Sequence, residues 1–154
     1  MKYSSFTLKD VFHGRPTLGG LVELSQENYA LLMQLTPELQ QASSKQVSTI
    51  MAGVELCLEI LEQTPYTSLV HLTHIFSSTD VDTEPDAIMR VYHDARQVEI
   101  QNLQGVSLIV GFSPYKNSLK RKWSQAQFLS RWLSFCLNSG HSFSAQARPA
   151  PVMV

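Results

Sequence analysis

Arg90, Tyr92, His93, Asp94, Arg96 and Glu99 crowd into one short stretch, IMRVYHDARQVEI (88–100). An imidazole beside a carboxylate is the pairing that a hydrolytic triad uses. The Asp orients the His, which then takes a proton from a nucleophile. Neighbours on a strand point to opposite faces, so His93 and Asp94 can cooperate only at a turn. There an Asp side chain usually bonds its own backbone instead. The stretch is therefore read first as a hairpin with His93 and Asp94 as turn and surface residues at its tip. Arg90, Tyr92, His93, Arg96 and Glu99 are its candidates for ligand or partner contact, and no catalytic residue is assigned beyond His93 and Asp94 as bare candidates.

Other spacings test metal and phosphate chemistry. His71 and His74 are three apart, which on a strand sends them to opposite faces, where one ion cannot hold both. Asp80, Asp82, Glu84 and Asp86 alternate as in a calcium loop. That loop needs Gly at its sixth position and Glu at its twelfth, and Pro85 and Val91 stand there. The two cysteines, Cys57 and Cys136, form no Cys-x-x-Cys pair. Neither a metal nor a cofactor is expected. Lys116, Lys120, Arg121 and Lys122, with Tyr115 and Trp123 beside them, form a basic patch that could hold RNA or an anion, its aromatics either stacking on bases or packing against the last helix. The dinucleotide, P-loop, nucleophile-elbow and His-Glu-x-x-His signatures are absent from the sequence.

These residues need elements to position them. Leu21, Leu24, Asn28, Leu31 and Leu35 recur at steps of three and four, which predicts an amphipathic helix over roughly Leu18–Leu35, ended by Pro37, with Gly19-Gly20 weakening its first turn enough to allow a start nearer Leu21. Asn28 lies on its apolar stripe, either as a buried hydrogen-bonded amide or as a contact. The period then becomes two. A turn at Ala52-Gly53 would place Val47, Thr49 and Met51 opposite Leu58, Leu56 and Val54, all on one face. A loop at Thr64-Pro65-Tyr66 sets Ile60 opposite Val70, Leu58 opposite Leu72 and Glu59 opposite His71. A turn centred on Asp94-Ala95 sets Val91 opposite Val98, Met89 opposite Ile100 and Arg90 across from Glu99. Val106, Leu108, Val110 and Phe112 alternate after Gly105 as a sixth strand, stopped by Pro114. Ser124 to Gln127 match a capping box that opens a last helix, with Phe128, Leu129, Trp132, Leu133 and Cys136 on its apolar face and Gly140 at its C-cap. The expected fold is α+β: an antiparallel meander of about six strands with an N-terminal and a C-terminal helix on one face. Residues 1–17 read as a loosely ordered arm, 18–141 as one domain and 142–154 as a disordered tail.

The whole chain agrees with this reading. It has 154 residues, 44% hydrophobic and 16% charged, with net charge −1. That length buries a core without staples. The two separated cysteines are expected as free thiols, and the opening residues lack the apolar core of a secretion signal, so a cytoplasmic setting is expected. No stretch approaches the roughly 20 apolar residues that span a bilayer. Charge is uneven. Residues 46–89 hold seven acids and no Lys or Arg, while residues 100–154 hold six bases and no acid.

Three segments resemble the bacterial YqiB-like family, a domain of unknown function. LSQENYALLMQLTP is similar to its first-helix motif, RVYHDARQVEI to its Arg-x-Tyr-His-Asp-Ala core, and FLSRWLSFCLNSGH to its final helix. The resemblance covers about Leu24 to His141. Ser25-Gln26 stands where similar proteins tend to carry Cys-Glu, and Lys120-Arg121-Lys122 lacks the acids that the family mixes in there. The resemblance implies a bacterial cytoplasmic protein and supplies no activity. The expected role is a non-catalytic interaction or binding module with a protein partner. The alternative is a small-ligand-binding protein or enzyme using the Tyr92-His93-Asp94 hairpin, and the third is RNA or anion binding through Lys116 to Trp123.

Overall fold

The computed structural model describes residues 16–51, 54–75, 85–104 and 119–143. Helix α1 (Leu18–Leu35) and a short 3-10 turn (Leu39–Gln41) precede β1 (Lys45–Met51), β2 (Val54–Gln63), β3 (Thr67–Ile75), β4 (Asp86–Tyr92) and β5 (Gln97–Gln104), and α2 (Leu119–Ser139) follows. The strands form one antiparallel sheet in the order β1-β2-β3-β4-β5, so every pairing is between neighbours in sequence. The fold is α+β, with five strands among the described residues. The expected sixth strand, Val106 to Phe112, lies outside them, as do the acidic link up to Glu84, Lys116 and the Ala52-Gly53 turn.

Burial alternates strictly along β3 and β4, the signature of strands with one face toward a core. Leu56, Leu58, Val70, Leu72, Met89 and Val91 from the sheet meet Leu31, Leu32 and Leu35 of α1 and Leu129, Trp132, Leu133 and Cys136 of α2 in one core. Two hairpin registers match expectation. Ile60, Glu59 and Leu58 pair with Val70, His71 and Leu72, and Met89, Arg90 and Val91 pair with Ile100, Glu99 and Val98.

The first hairpin differs. Met51 pairs with Val54 as expected, but a bulge between Thr49 and Met51 shifts the rest, so Val47 pairs with Cys57 and Ser48 with Leu56. One extra residue flips every side chain before it to the other face. Val47 is therefore 51% exposed while Ser48 is buried. The last helix also differs. It begins at Leu119, and Ser124 sits within it rather than capping it. Lys120, Arg121 and Lys122 are good helix formers, and Trp123 is buried against Leu24, which anchors the added turn.

The C-terminus of α2 closes as expected on Gly140, at φ +101. Gly140 N–H donates to the Leu137 carbonyl and His141 N–H to the Cys136 carbonyl, the two bonds of a Schellman motif. The chain continues in place beyond it. Phe143, which the sequence reading put in the tail, is buried, and its N–H donates to the Leu35 carbonyl. His141 Nδ1 lies 2.9 Å from Ser48 Oγ, so the buried serine created by the bulge is what the returning chain docks on.

At the other end, Thr17 caps α1 by accepting from Gly20 N–H at 3.0 Å. The two glycines that follow Leu18 differ in surroundings. A Cβ on Gly19 would meet nothing within 4 Å, whereas one on Gly20 would lie 2.7 Å from the Trp123 ring. Gly19→Ala should stabilise the protein by up to about 1 kcal/mol through helix propensity. Gly20→Ala should destabilise it by about 1–2 kcal/mol, as the indole is pushed out of place. Thermal melts of the two variants that moved in the same direction would refute this account of the helix contact.

A cleft between the helices and the sheet edge

Helix α1 is tied to β5 and to α2 by polar contacts that the core alone would not specify. Ser25 Oγ–H donates to the Val98 carbonyl at 2.7 Å, and the same oxygen accepts from Val98 N–H at 2.9 Å. One hydroxyl thus satisfies both backbone groups of a residue on β5, the outermost strand among the described residues. Three residues on, Asn28 Nδ2 donates to the Ala126 carbonyl of α2 at 3.1 Å. Asn28 is 1% exposed, and its Oδ1 has no partner among the described residues.

Between these ties lies a cleft of about 290 Å³. Leu21 and Val22 of α1, Val98 and Ile100 of β5, and Ala126 and Leu129 of α2 give it an apolar wall. Ser25, Asn28, Gln97 and Gln125 add amides and a hydroxyl, and Tyr92, Glu99 and Lys122 form a connected polar group. Tyr92 O–H donates to Glu99 Oε1 at 3.3 Å, and Lys122 Nζ lies 3.6 Å from Glu99 Oε2. Burial, reinforced by the negative charge of Glu99, pushes the Tyr92 phenol up from its ordinary pKa, so it stays a neutral donor. An apolar concavity with a few convergent polar groups is what a small-molecule site requires.

The sequence candidates divide between this cleft and other places. Tyr92, Glu99 and Lys122 reach it. Arg90 stands across from Glu99 in register, but its guanidinium lies 3.5 Å from Glu62 Oε1, leaving Glu99 to Lys122. Asp94 and Arg96 are exposed in the turn, where Asp94 Oδ1 accepts from Ala95 N–H at 2.9 Å and Arg96 takes φ +56. Lys120 is exposed, and Arg121 is partly buried in the first turn of α2. Trp123 is only 7% exposed, so its ring has no free face for a nucleobase.

His93 is not on the surface of its hairpin but 8% exposed. Its Nδ1 lies 3.2 Å from the Tyr29 hydroxyl and its Nε2 2.8 Å from Ser68 Oγ. Ser68 donates to Gln63 Oε1, and Gln63 Nε2 donates to the Leu39 and Ala42 carbonyls, each at 2.9 Å. Since Ser68 gives its proton to Gln63, it must accept from His93 Nε2–H, and Nδ1 then accepts from Tyr29. Burial holds the His93 pKa below its ordinary value, against a smaller opposing effect of Asp94. The Ser68–His93 pair resembles half of a hydrolytic triad, yet Ser68 is fully buried and neither residue lines the cleft.

The histidines at 71 and 74 part as their spacing demands. His71 lies on the open face of the sheet, bonded to Asp86 and 3.8 Å from Glu59. His74 is buried under α2. It accepts at Nδ1 from Trp132 Nε1–H at 3.1 Å, with the His141 ring centred 5.3 Å away. Burial, and secondarily His141, lowers the His74 pKa to about 4, and burial pushes the nearby Cys136 thiol up to about 12. Among the described residues no three His, Cys, Asp or Glu side chains converge as a metal requires, and no described helix is long and apolar enough to cross a membrane.

Sequence reasoning missed Ser25, Gln97 and Gln125. Ser25 carried a signal, since it sits one turn before Asn28 as a second polar residue beside the apolar stripe. The glutamines carried none.

Comparison with known proteins agrees with the resemblance of the three segments. The family model described as "Protein of unknown function (DUF1249)" matches residues 31–142, from within α1 to the turn after α2. Uncharacterized protein YqiB of Escherichia coli K12 is 28% identical over 129 residues, covering 81% of this chain and 91% of its own length. The proteins of the same name from the O6:H1 and O157:H7 strains match to the same extent. No solved structure matches. With the family model running from the last turn of α1 through the whole sheet and α2, the chain belongs to this DUF1249 family.

Proposed function

We propose that this chain is a non-catalytic binding module of the bacterial cytoplasm that takes a small organic molecule in the cleft between α1, β5 and α2. The observation that carries the reading is the convergence of Tyr92, Glu99 and Lys122 beside an otherwise apolar wall. The enclosure of Ser68 and His93 favours binding over catalysis, because a nucleophile must meet its substrate. RNA binding through the basic patch is less favoured, since Trp123 is buried and offers no ring face to a base.

A metabolite library screened by amide NMR tests the reading. Ligands should shift the Val98, Ile100 and Ala126 signals. Ala126→Leu, which narrows the cleft while keeping the backbone carbonyl bonded to Asn28, should weaken them by about tenfold or more. Val22→Phe is the second variant, in case the first fails to fold. Hits that bind both variants as well as the parent, or a library that leaves these signals unmoved, would overturn it.

A further inference from the structure

We propose that the cleft recognises a zwitterion: an α-amino acid with an apolar side chain, its ammonium on Glu99 and its carboxylate on Lys122. This rests on the cleft being a binding site and adds the class of its ligand. The polar group of the cleft holds one acid and one base, 3.6 Å apart. The two side chains are 40% and 45% exposed, so their mutual attraction is weak and open to exchange. A ligand with one charge takes one partner and leaves the other alone beside an apolar wall. A ligand with both charges re-pairs each of them. An α-amino acid carries its two charged groups on a single carbon, a separation suited to an acid and a base already in contact. Tyr92 supports this arrangement by donating to Glu99 Oε1, which orients the carboxylate.

Asn28 is the second, independent observation. It lines the cleft, is 1% exposed and has an Oδ1 without a partner among the described residues. A buried amide oxygen without a donor is costly. An ammonium has three N–H groups, so one held by Glu99 keeps others for a second acceptor, and Asn28 Oδ1, closed off in this structure, becomes that acceptor once its amide turns toward the cleft. Leu21, Ile100 and Leu129 then face the ligand's side chain. The volume of about 290 Å³ suits one amino acid, at the small end of ligand sites.

The test compares L-leucine with 4-methylpentanoate, which lacks the ammonium, and 3-methylbutylamine, which lacks the carboxylate. Each is titrated into the full chain while the Ile100 and Ala126 amides are followed by NMR. Leucine should bind about tenfold or more tighter than either analogue. Glu99→Gln should bring leucine and 4-methylpentanoate together in affinity, and Lys122→Met should do the same for leucine and the amine. An analogue that binds as tightly as leucine overturns the proposal, as does silence from leucine, methionine and phenylalanine alike. If library compounds of other chemistry still shift those amides, the ligand class is wrong and the cleft reading stands. If none does, both fall.

Discussion

Lowering the pH from 7 to 5 should reduce the unfolding free energy by about 2 kcal/mol through His74 alone. Above the ordinary histidine pKa of 6.5, the imidazole is neutral in both the folded and the unfolded chain. Between 6.5 and about 4 the unfolded chain binds a proton that the folded chain refuses. Stability therefore falls with pH across that window, and the full penalty of roughly 3 kcal/mol is reached near pH 4. The cause is geometric. Nδ1 already accepts the Trp132 N–H, Cys136 Sγ lies 3.9 Å from it, and the neighbouring imidazole is that of His141. Burial disfavours the charged ring, and the His141 imidazole adds to that. Burial lowers the His93 and His141 pKa values as well, so they add to the loss in the same direction. Urea melts at pH 7, 6 and 5 read this as a slope. His74→Leu should lose stability at pH 7 but flatten the slope, and a variant with the parent's slope would refute the assignment to His74.

The largest single-residue loss is expected at Trp132. It is 4% exposed, and its ring lies 5.7 Å from that of Phe128 and stacks on His74 at 6.4 Å. Trp132→Ala should cost about 4 kcal/mol, combining lost burial with the cavity left between α2 and the sheet. Trp132→Phe keeps an apolar ring and removes the N–H given to His74, and should cost about 1–2 kcal/mol. The two variants also report on His74. Without the indole donor, Nδ1 can take a proton more readily, so the acid transition of Trp132→Phe should move to higher pH than the parent's. Chemical denaturation measures the first effect and repeated melts across pH the second. A Trp132→Ala loss below about 1 kcal/mol would show that the core closes over the gap.

The parts of this structure that were legible in the sequence are those governed by local period. Helix α1 ends where its leucine stripe ends, and two hairpin registers follow from alternation plus loop length. The bulge in β1 was not legible, because Gln46 to Met51 has no strong apolar face to pin it. Val47 and Ile50 are compatible with either register, and the choice is made by the returning chain, where His141 and Ser142 both bond Ser48. The start of α2 was misread because Ser124 and Gln127 satisfy a local capping pattern, while Trp123 against Gly20 is a tertiary contact across the whole domain. The cleft was half legible. Tyr92 and Glu99 stood out by chemistry and Asn28 by its place on an apolar stripe, but their approach to Lys122 depends on helix docking that no spacing encodes. The side-chain partner of Arg90 is a similar case. Register puts it across from Glu99, and the guanidinium reaches Glu62 on β2 instead.

The bonds from Tyr29 through His93 and Ser68 to Gln63 all run in one donor sense and end on the carbonyls of Leu39 and Ala42. A proton wire works by reversal, each member passing one proton on and receiving another behind it. This row cannot reverse, because a carboxamide holds both of its N–H protons and a peptide carbonyl accepts without handing anything on. It is a one-way street with a dead end. A histidine placed in it conducts nothing and serves as a rivet, joining α1, β2, β3 and the β4–β5 turn at a single point.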